Sequence, residues 1–150
     1  MSSETTNPGE CQIDFYLLGN SSADAGKLAC RLALMAWERK QRIFIVTINK
    51  TAGEELSELM WTYPQGRFLP HSEVDDENAT KAPVNIGTIS SLIPTDVVIN
   101  LCPEAVPQPE RFSRVLEIVP FAESEKALSR VKYKTYLKLG LKPGTHEINK

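Results

Sequence analysis

Residues Arg42–Ile48 read Arg-Ile-Phe-Ile-Val-Thr-Ile, a run of β-branched and aromatic side chains with almost no polar interruption. A strand with one wet face alternates apolar and polar residues. An unbroken run belongs to a strand covered on both faces. Such strands occur in parallel sheets flanked by helices, so this one segment already argues for an α/β fold. Gln12–Leu18 is a second apolar run, ended by Gly19-Asn20, and predicts a strand and a turn. Between the two runs Leu28, Leu32, Met35 and Ala36 recur at helical spacing, with Leu34 and Trp37 widening the face. Ser21, Ser22 or Asp24 is placed to cap that helix. Arg39, Lys40 and Arg42 cluster at its end, where cations suit the helix dipole.

The pattern continues along the chain. A second helix is expected from about Ala52 to Trp61, with Leu56, Leu59 and Met60 apolar, broken by Tyr63-Pro64-Gln65-Gly66. His71–Lys81 is rich in Asp, Glu, Asn and Thr and reads as a solvated loop. Val84–Ile86 is a short strand, Asp96–Leu101 a firm one, and Cys102–Pro109 a proline-rich connection. Arg114–Val119 is a further strand, stopped by Pro120. A long helix from about Ala122 to Leu139 ends at Gly140, and Lys142-Pro143-Gly144 leads into a short tail. Strands alternating with helices predict a Rossmann-like, mostly parallel sheet with helices on both faces. One domain is expected over residues 12–148, behind a flexible tail over residues 1–11.

Composition narrows the function. The formal net charge of -2 carries no global basicity, so a nucleic-acid role must rest on a local patch. Met1–Glu10 is polar and acidic with no apolar h-region, and no apolar run approaches the ~18 residues that span a membrane. The expected location is the cytoplasm. Cys11, Cys30 and Cys102 form no C-x-x-C pair, which points to buried thiols rather than a disulfide framework or a zinc site.

Patterns for catalysis fail one by one. Ser21–Leu28 is a near-miss for a phosphate loop: Ser21 stands where glycine is needed for the tight turn, and Leu28 where Ser or Thr holds magnesium. A dinucleotide fingerprint needs more glycine than Gly19 after the first strand. The two histidines, His71 and His146, have no partner at metal-ligand spacing, and the acidic residues after His71 do not follow an EF-hand. No cofactor, metal or catalytic residue is expected, and the chain reads as a binding protein rather than an enzyme.

The last helix carries the chemistry. At about 100° per residue, Leu128, Val131, Thr135 and Leu139 share one face and are expected to pack on the sheet. Lys126, Arg130, Tyr133, Lys134 and Leu137 lie opposite, a basic stripe that reads either as a solvated face or as a binding surface. Cations beside apolar groups suit an acidic peptide that ends in an aromatic residue with a free carboxylate. Arg130 is able to fork onto that carboxylate while Tyr133 offers flat apolar contact. A second apolar surface is expected at Trp61–His71, where three aromatic residues and two prolines are hard to bury in one loop. The competing reading of that stretch is that Trp61 and Phe68 close the core. The alternative function is direct nucleic-acid binding by the basic helix, with lysines on phosphates and Tyr133 and Tyr136 stacking on bases.

Four stretches carry a resemblance. They are Phe15-Tyr16-Leu17-Leu18, Trp61 with Pro64, Phe68-Leu69-Pro70-His71, and Val119-Pro120-Phe121 running on through Lys126, Arg130, Tyr133-Lys134 and Tyr136. In this order and spacing, from about Phe15 to Ile148, the chain resembles the chi subunit of bacterial DNA polymerase III. The resemblance implies a Rossmann-like fold without catalysis and a place in the clamp-loader complex beside the small psi subunit. It also implies binding of the acidic C-terminal tail of single-stranded-DNA-binding protein, which ends in proline and phenylalanine. The tail-binding residues it implies are Val119, Lys126, Arg130, Tyr133 and Lys134. The psi surface it implies is Trp61 with Phe68, a surface that also serves a repair helicase as alternative partner. The sequence departs from the family pattern at Glu125, where an apolar residue is usual, and at Leu137, where a basic one occurs.

Overall fold

A computed structural model describes residues 11–20, 24–63, 69–73 and 82–148. The element order is β1 (Gln12–Leu18), α1 (Ala25–Glu38), β2 (Ile43–Val46), α2 (Lys50–Met60), β3 (His71–Glu73), β4 (Val84–Gly87), β5 (Val97–Asn100), β6 (Arg114–Val119), α3 (Glu123–Lys138) and β7 (Gly144–Ile148). The strands form one sheet in the order β3-β4-β2-β5-β6-β1-β7. Every neighbouring pair is parallel. The α/β architecture with a parallel sheet is thus as the sequence predicts.

The central position of β2 explains its unbroken apolarity. Ile43 and Ile45 join Leu18, Ile86, Ile99, Leu116 and Ile118 on the face covered by α1 and α2. Phe44 and Val46 point the other way, into a core with Ile13, Phe15, Val98, Val115, Val119 and Tyr136 of α3. All four β2 side chains are fully buried. Each such side chain contributes about 1.5–3 kcal/mol by leaving water. Asp24 caps α1 by accepting from the Lys27 N–H at 3.1 Å, and Asn49 caps α2 by accepting from the Ala52 N–H at 2.8 Å. Arg39 and Lys40 lie past the end of α1, with Lys40 in the left-handed region at φ 64°. All three cysteines are buried, as expected.

Four expectations need correction. His71–Glu73, expected in a loop, is a short strand parallel to β4. Residues 74–81 of that expected loop lie outside the described residues. The expected C-terminal tail is the edge strand β7, paired with β1. Its residues are largely exposed, so they show no apolar pattern. What holds β7 is polar: His146 Nε2 meets Asp14 Oδ1 at 3.0 Å, and the His146 ring stacks on Tyr16 at 4.9 Å. Gly144 permits this approach, because a Cβ there would stand 3.0 Å from Asp14 Oδ1. Met35, expected on the inner face of α1, is exposed.

The fourth correction concerns α3. Leu128, Val131, Thr135 and Leu139 do not pack on the sheet; all four are exposed. The buried residues of α3 are Lys132 and Tyr136. A lysine on the inward face defeats a wheel drawn on apolarity. Its partner is the buried carboxylate of Glu117 on β6.

Candidate functional site

β1 and β7 run side by side with Phe15 opposite Thr145, and α3 crosses above them. Between the helix and these two strands lies a cavity of about 240 Å³, lined by Phe15, Leu17, Lys126, Ser129, Arg130, Tyr133 and Thr145. Phe15 and Leu17 are there because they follow Ile13 at every second position along β1, on the α3 side of the sheet. Tyr133 leans against Phe15 with ring centroids 5.6 Å apart, and its hydroxyl donates to the Pro143 carbonyl at 3.3 Å. Lys126 stands over the Phe121 ring at 4.7 Å and 3.9 Å from Glu123. That exposed ion pair is worth little. Arg130 follows one turn later at the surface. An apolar floor with two cations at its rim suits a ligand having an aromatic end and negative charge.

Three of the residues expected to bind the acidic tail, Lys126, Arg130 and Tyr133, are therefore brought together around one cavity. Val119 is not at its wall. It is buried one strand away, opposite Leu17 in the β1–β6 register and beside it on the same face of the sheet. Lys134 is exposed one turn beyond Arg130 and stands outside the lining, as do Glu125 and Leu137. Sequence reasoning missed Phe15 and Leu17, whose run reads only as a core strand. It also missed Thr145, because β7 gives no strand signal. Tyr136 is fully buried and so is not placed to stack on a base.

Beside the site, on the next strand from Phe15, lies a buried polar network. The Glu117 carboxylate receives Lys132 Nζ at 2.7 Å on one oxygen, and the Tyr136 hydroxyl at 2.5 Å and Asn100 Nδ2 at 2.9 Å on the other. Lys132 Nζ also donates to the Cys102 carbonyl at 2.6 Å, and the Tyr136 hydroxyl accepts from the Val106 N–H at 2.8 Å. Burial pushes the Glu117 carboxyl up, against the pull of Lys132 and the two hydrogen bonds. All three neighbours donate, which suits the ionised form. Burial likewise raises the Tyr136 phenol, with the Glu117 charge beside it adding to the shift.

At the other proposed surface, Trp61 caps the end of α2 with 63% of its surface exposed. Its ring meets His71 edge-on at 5.4 Å, and His71 Nδ1 is 2.8 Å from the Leu69 carbonyl. Trp61 therefore does not close the core. Phe68 lies outside the described residues. At the carboxyl end of the sheet, Asp24, Thr47, Ile48, Glu55 and Leu101 help line a cavity of about 470 Å³. This is where α/β sheets hold nucleotides, but two carboxylates at the wall repel phosphate, and Lys27 lies over the Tyr63 ring. Among the described residues no group of three or more His, Cys, Asp or Glu is arranged to hold a metal ion, and no helix is long and apolar enough to cross a membrane.

A family model described as DNA polymerase III chi subunit, HolC, matches residues 11–143. The chain belongs to the chi-subunit family. The chi subunit of Escherichia coli strain K12 is 29% identical over 138 residues, which cover 87% of this chain and 94% of that one. The chi subunit of Pseudomonas aeruginosa is 28% identical over 141 residues, 91% and 96% of the two chains. Membership makes this chain an accessory subunit of a replicative polymerase, as the resemblance implied. Solved structures of similar shape include S. cerevisiae Dbp5 bound to Nup159, Gle1, IP6 and ADP, with a TM-score of 0.70 at 10% identity, and T4 UvsW, at 0.65 and 10%. They cover 97% and 93% of this chi chain, which spans 44% and 42% of theirs. At that identity the likeness is one of fold.

Proposed function

We propose that this chi-family chain is a non-catalytic replication adaptor, working in the cytoplasm through the domain over residues 12–148. It holds the acidic C-terminal tail of single-stranded-DNA-binding protein with one surface and the psi subunit with another, and so links the clamp loader to coated single strands. The observation that carries this reading is the cavity between α3, β1 and β7. Its Phe15 and Leu17 floor accepts an aromatic side chain, while Lys126 and Arg130 meet the tail's carboxylates. Lys134 extends the basic face beyond the rim, and Val119 packs beside Leu17 at the edge of the floor. Trp61, exposed at the end of α2, is the anchor for psi together with Phe68, and the same surface takes a repair helicase as alternative partner.

The test is a titration of the full chain, and of its Arg130→Ala and Tyr133→Ala variants, with a peptide copying the cognate acidic tail. Losing a charged hydrogen-bond partner costs about 1.5–3 kcal/mol, roughly 10- to 100-fold in affinity. Each variant is expected to keep the wild-type melting temperature to within a few degrees. Unchanged affinity in both would overturn the assignment of the site.

A further inference from the structure

The helix that forms the roof of the cavity has two faces able to turn inward. One is apolar, with Leu128, Val131, Thr135 and Leu139. The other holds Lys132 and Tyr136. At about 100° per residue the centres of these faces lie roughly 80° apart. Apolar burial alone favours the first, yet Val131 is 63% exposed and Leu139 55%, while Lys132 is 6% exposed and Tyr136 fully buried. The choice is made by Glu117. Its carboxylate projects from β6 into the core, and in the observed rotation both oxygens are satisfied by Lys132, Tyr136 and Asn100. Any other rotation leaves the buried Glu117 carboxyl without Lys132 and Tyr136, a cost that opposes the gain from burying Val131 and Leu139.

We propose that Glu117, Lys132 and Tyr136 are positioning residues for peptide capture, because their buried network sets the rotation of α3 that turns Lys126, Arg130 and Tyr133 over the cavity. The inference rests on the tail-binding reading given above. If α3 rolled onto its apolar face, by roughly 80°, Tyr133 would leave Phe15 and point to solvent, and Lys126 would follow. The cavity would lose its roof with no residue of its lining changed. The network thus acts on binding through orientation, a role in which buried ion pairs select one packing among several.

The experiment replaces the network with apolar groups of similar volume and compares folding with binding. The Glu117→Met/Lys132→Met double variant and the milder Tyr136→Phe variant are measured beside wild type. Three readouts are taken: the thermal transition, the proton–proton contacts between the Tyr133 and Phe15 rings by NMR, and affinity for the acidic tail peptide. The double variant is expected to unfold cooperatively at or above the wild-type temperature, to lose the Tyr133–Phe15 contacts, and to bind about 10-fold or more weakly, since three long side chains must be ordered afresh. Wild-type contacts together with wild-type affinity in the double variant overturn the proposal. If that variant does not fold, Tyr136→Phe decides: weakened Tyr133–Phe15 contacts with reduced affinity support the proposal, and unchanged values of both overturn it. If wild type itself does not bind the peptide, the tail-binding reading fails, and the ring contacts alone still show whether the network sets the rotation.

Discussion

Lys132 Nζ meets Glu117 Oε1 at 2.7 Å in the core of the protein, with the lysine side chain 8% exposed and the glutamate not at all. The pair joins α3 to β6 where most helices of such folds present leucine or valine to the sheet. Removing one partner of a buried pair leaves an uncompensated charge, which costs about 3–5 kcal/mol. Lys132→Met alone is therefore expected to lower stability by about 3 kcal/mol, which for a chain of this length is roughly 6–12 °C in melting temperature. Urea denaturation of the two proteins measures it. A loss below half a kilocalorie would mean that the pair contributes no more than a surface one.

The rotation of α3 makes a second prediction about two residues five apart. Val131→Asn, at an exposed position, should change stability by no more than about 0.5 kcal/mol. Tyr136→Phe removes one hydroxyl that serves both Glu117 and the Val106 N–H, and should cost about 1–3 kcal/mol. The reverse order in a denaturation series would mean that the apolar face packs inward in solution.

Asp14 predicts a pH dependence. Burial pushes its carboxyl up, but the hydrogen bonds and charges of His146 and Arg114 outweigh it and hold the group below its ordinary value. A folded value below the unfolded one means that the stabilisation is complete above the unfolded pKa, about 4, and is lost as pH falls through the folded value. Wild type should therefore exceed Asp14→Asn in stability at pH 6, and the gap should shrink steadily below about pH 4. A gap of constant size from pH 6 to pH 2.5 would show that Asp14 acts without its charge. Because Asp14 also holds His146, the β7 amides of the variant should exchange faster with solvent.

Trp61 tests the second surface. It lies 63% exposed against the edge of His71, so Trp61→Ala should leave monomer stability within about 0.5 kcal/mol of wild type. Affinity for the psi subunit should fall by at least about 2 kcal/mol, roughly 30-fold. Equal affinities measured by titration with purified psi would move the psi surface elsewhere. A fall in monomer stability of several kilocalories would instead return Trp61 to the core.

The parts of the fold set by apolar runs were legible in the sequence, and those set by polar pairing were not. Ile43–Val46 announced a doubly covered strand, and Leu28, Leu32 and Leu56 announced helices on the sheet. His71–Glu73 and Gly144–Ile148 were hidden because edge strands keep exposed polar residues and gain their order from a neighbour's backbone. The wheel of α3 misled for a related reason. It ranks Leu128 and Val131 above Lys132, and no local pattern shows that Glu117 waits in β6 for that lysine. The grouping of Lys126, Arg130 and Tyr133 was nonetheless legible, since residues three and four apart share a helix face whichever face turns inward. The floor of the site was not, because Phe15 and Leu17 look the same in a sequence whether a helix covers them or a cavity does.

Capture of an acidic tail by its last aromatic residue is the role proposed for the cavity between α3, β1 and β7. The most direct test is a calorimetric titration of the wild-type chain with the tail peptide of the cognate single-stranded-DNA-binding protein, beside the same peptide lacking its final phenylalanine. A dissociation constant of about 1–10 μM is expected for the complete peptide, weakening as salt rises, with no measurable binding for the shortened one. Equal binding of both peptides, or of neither, would overturn that role.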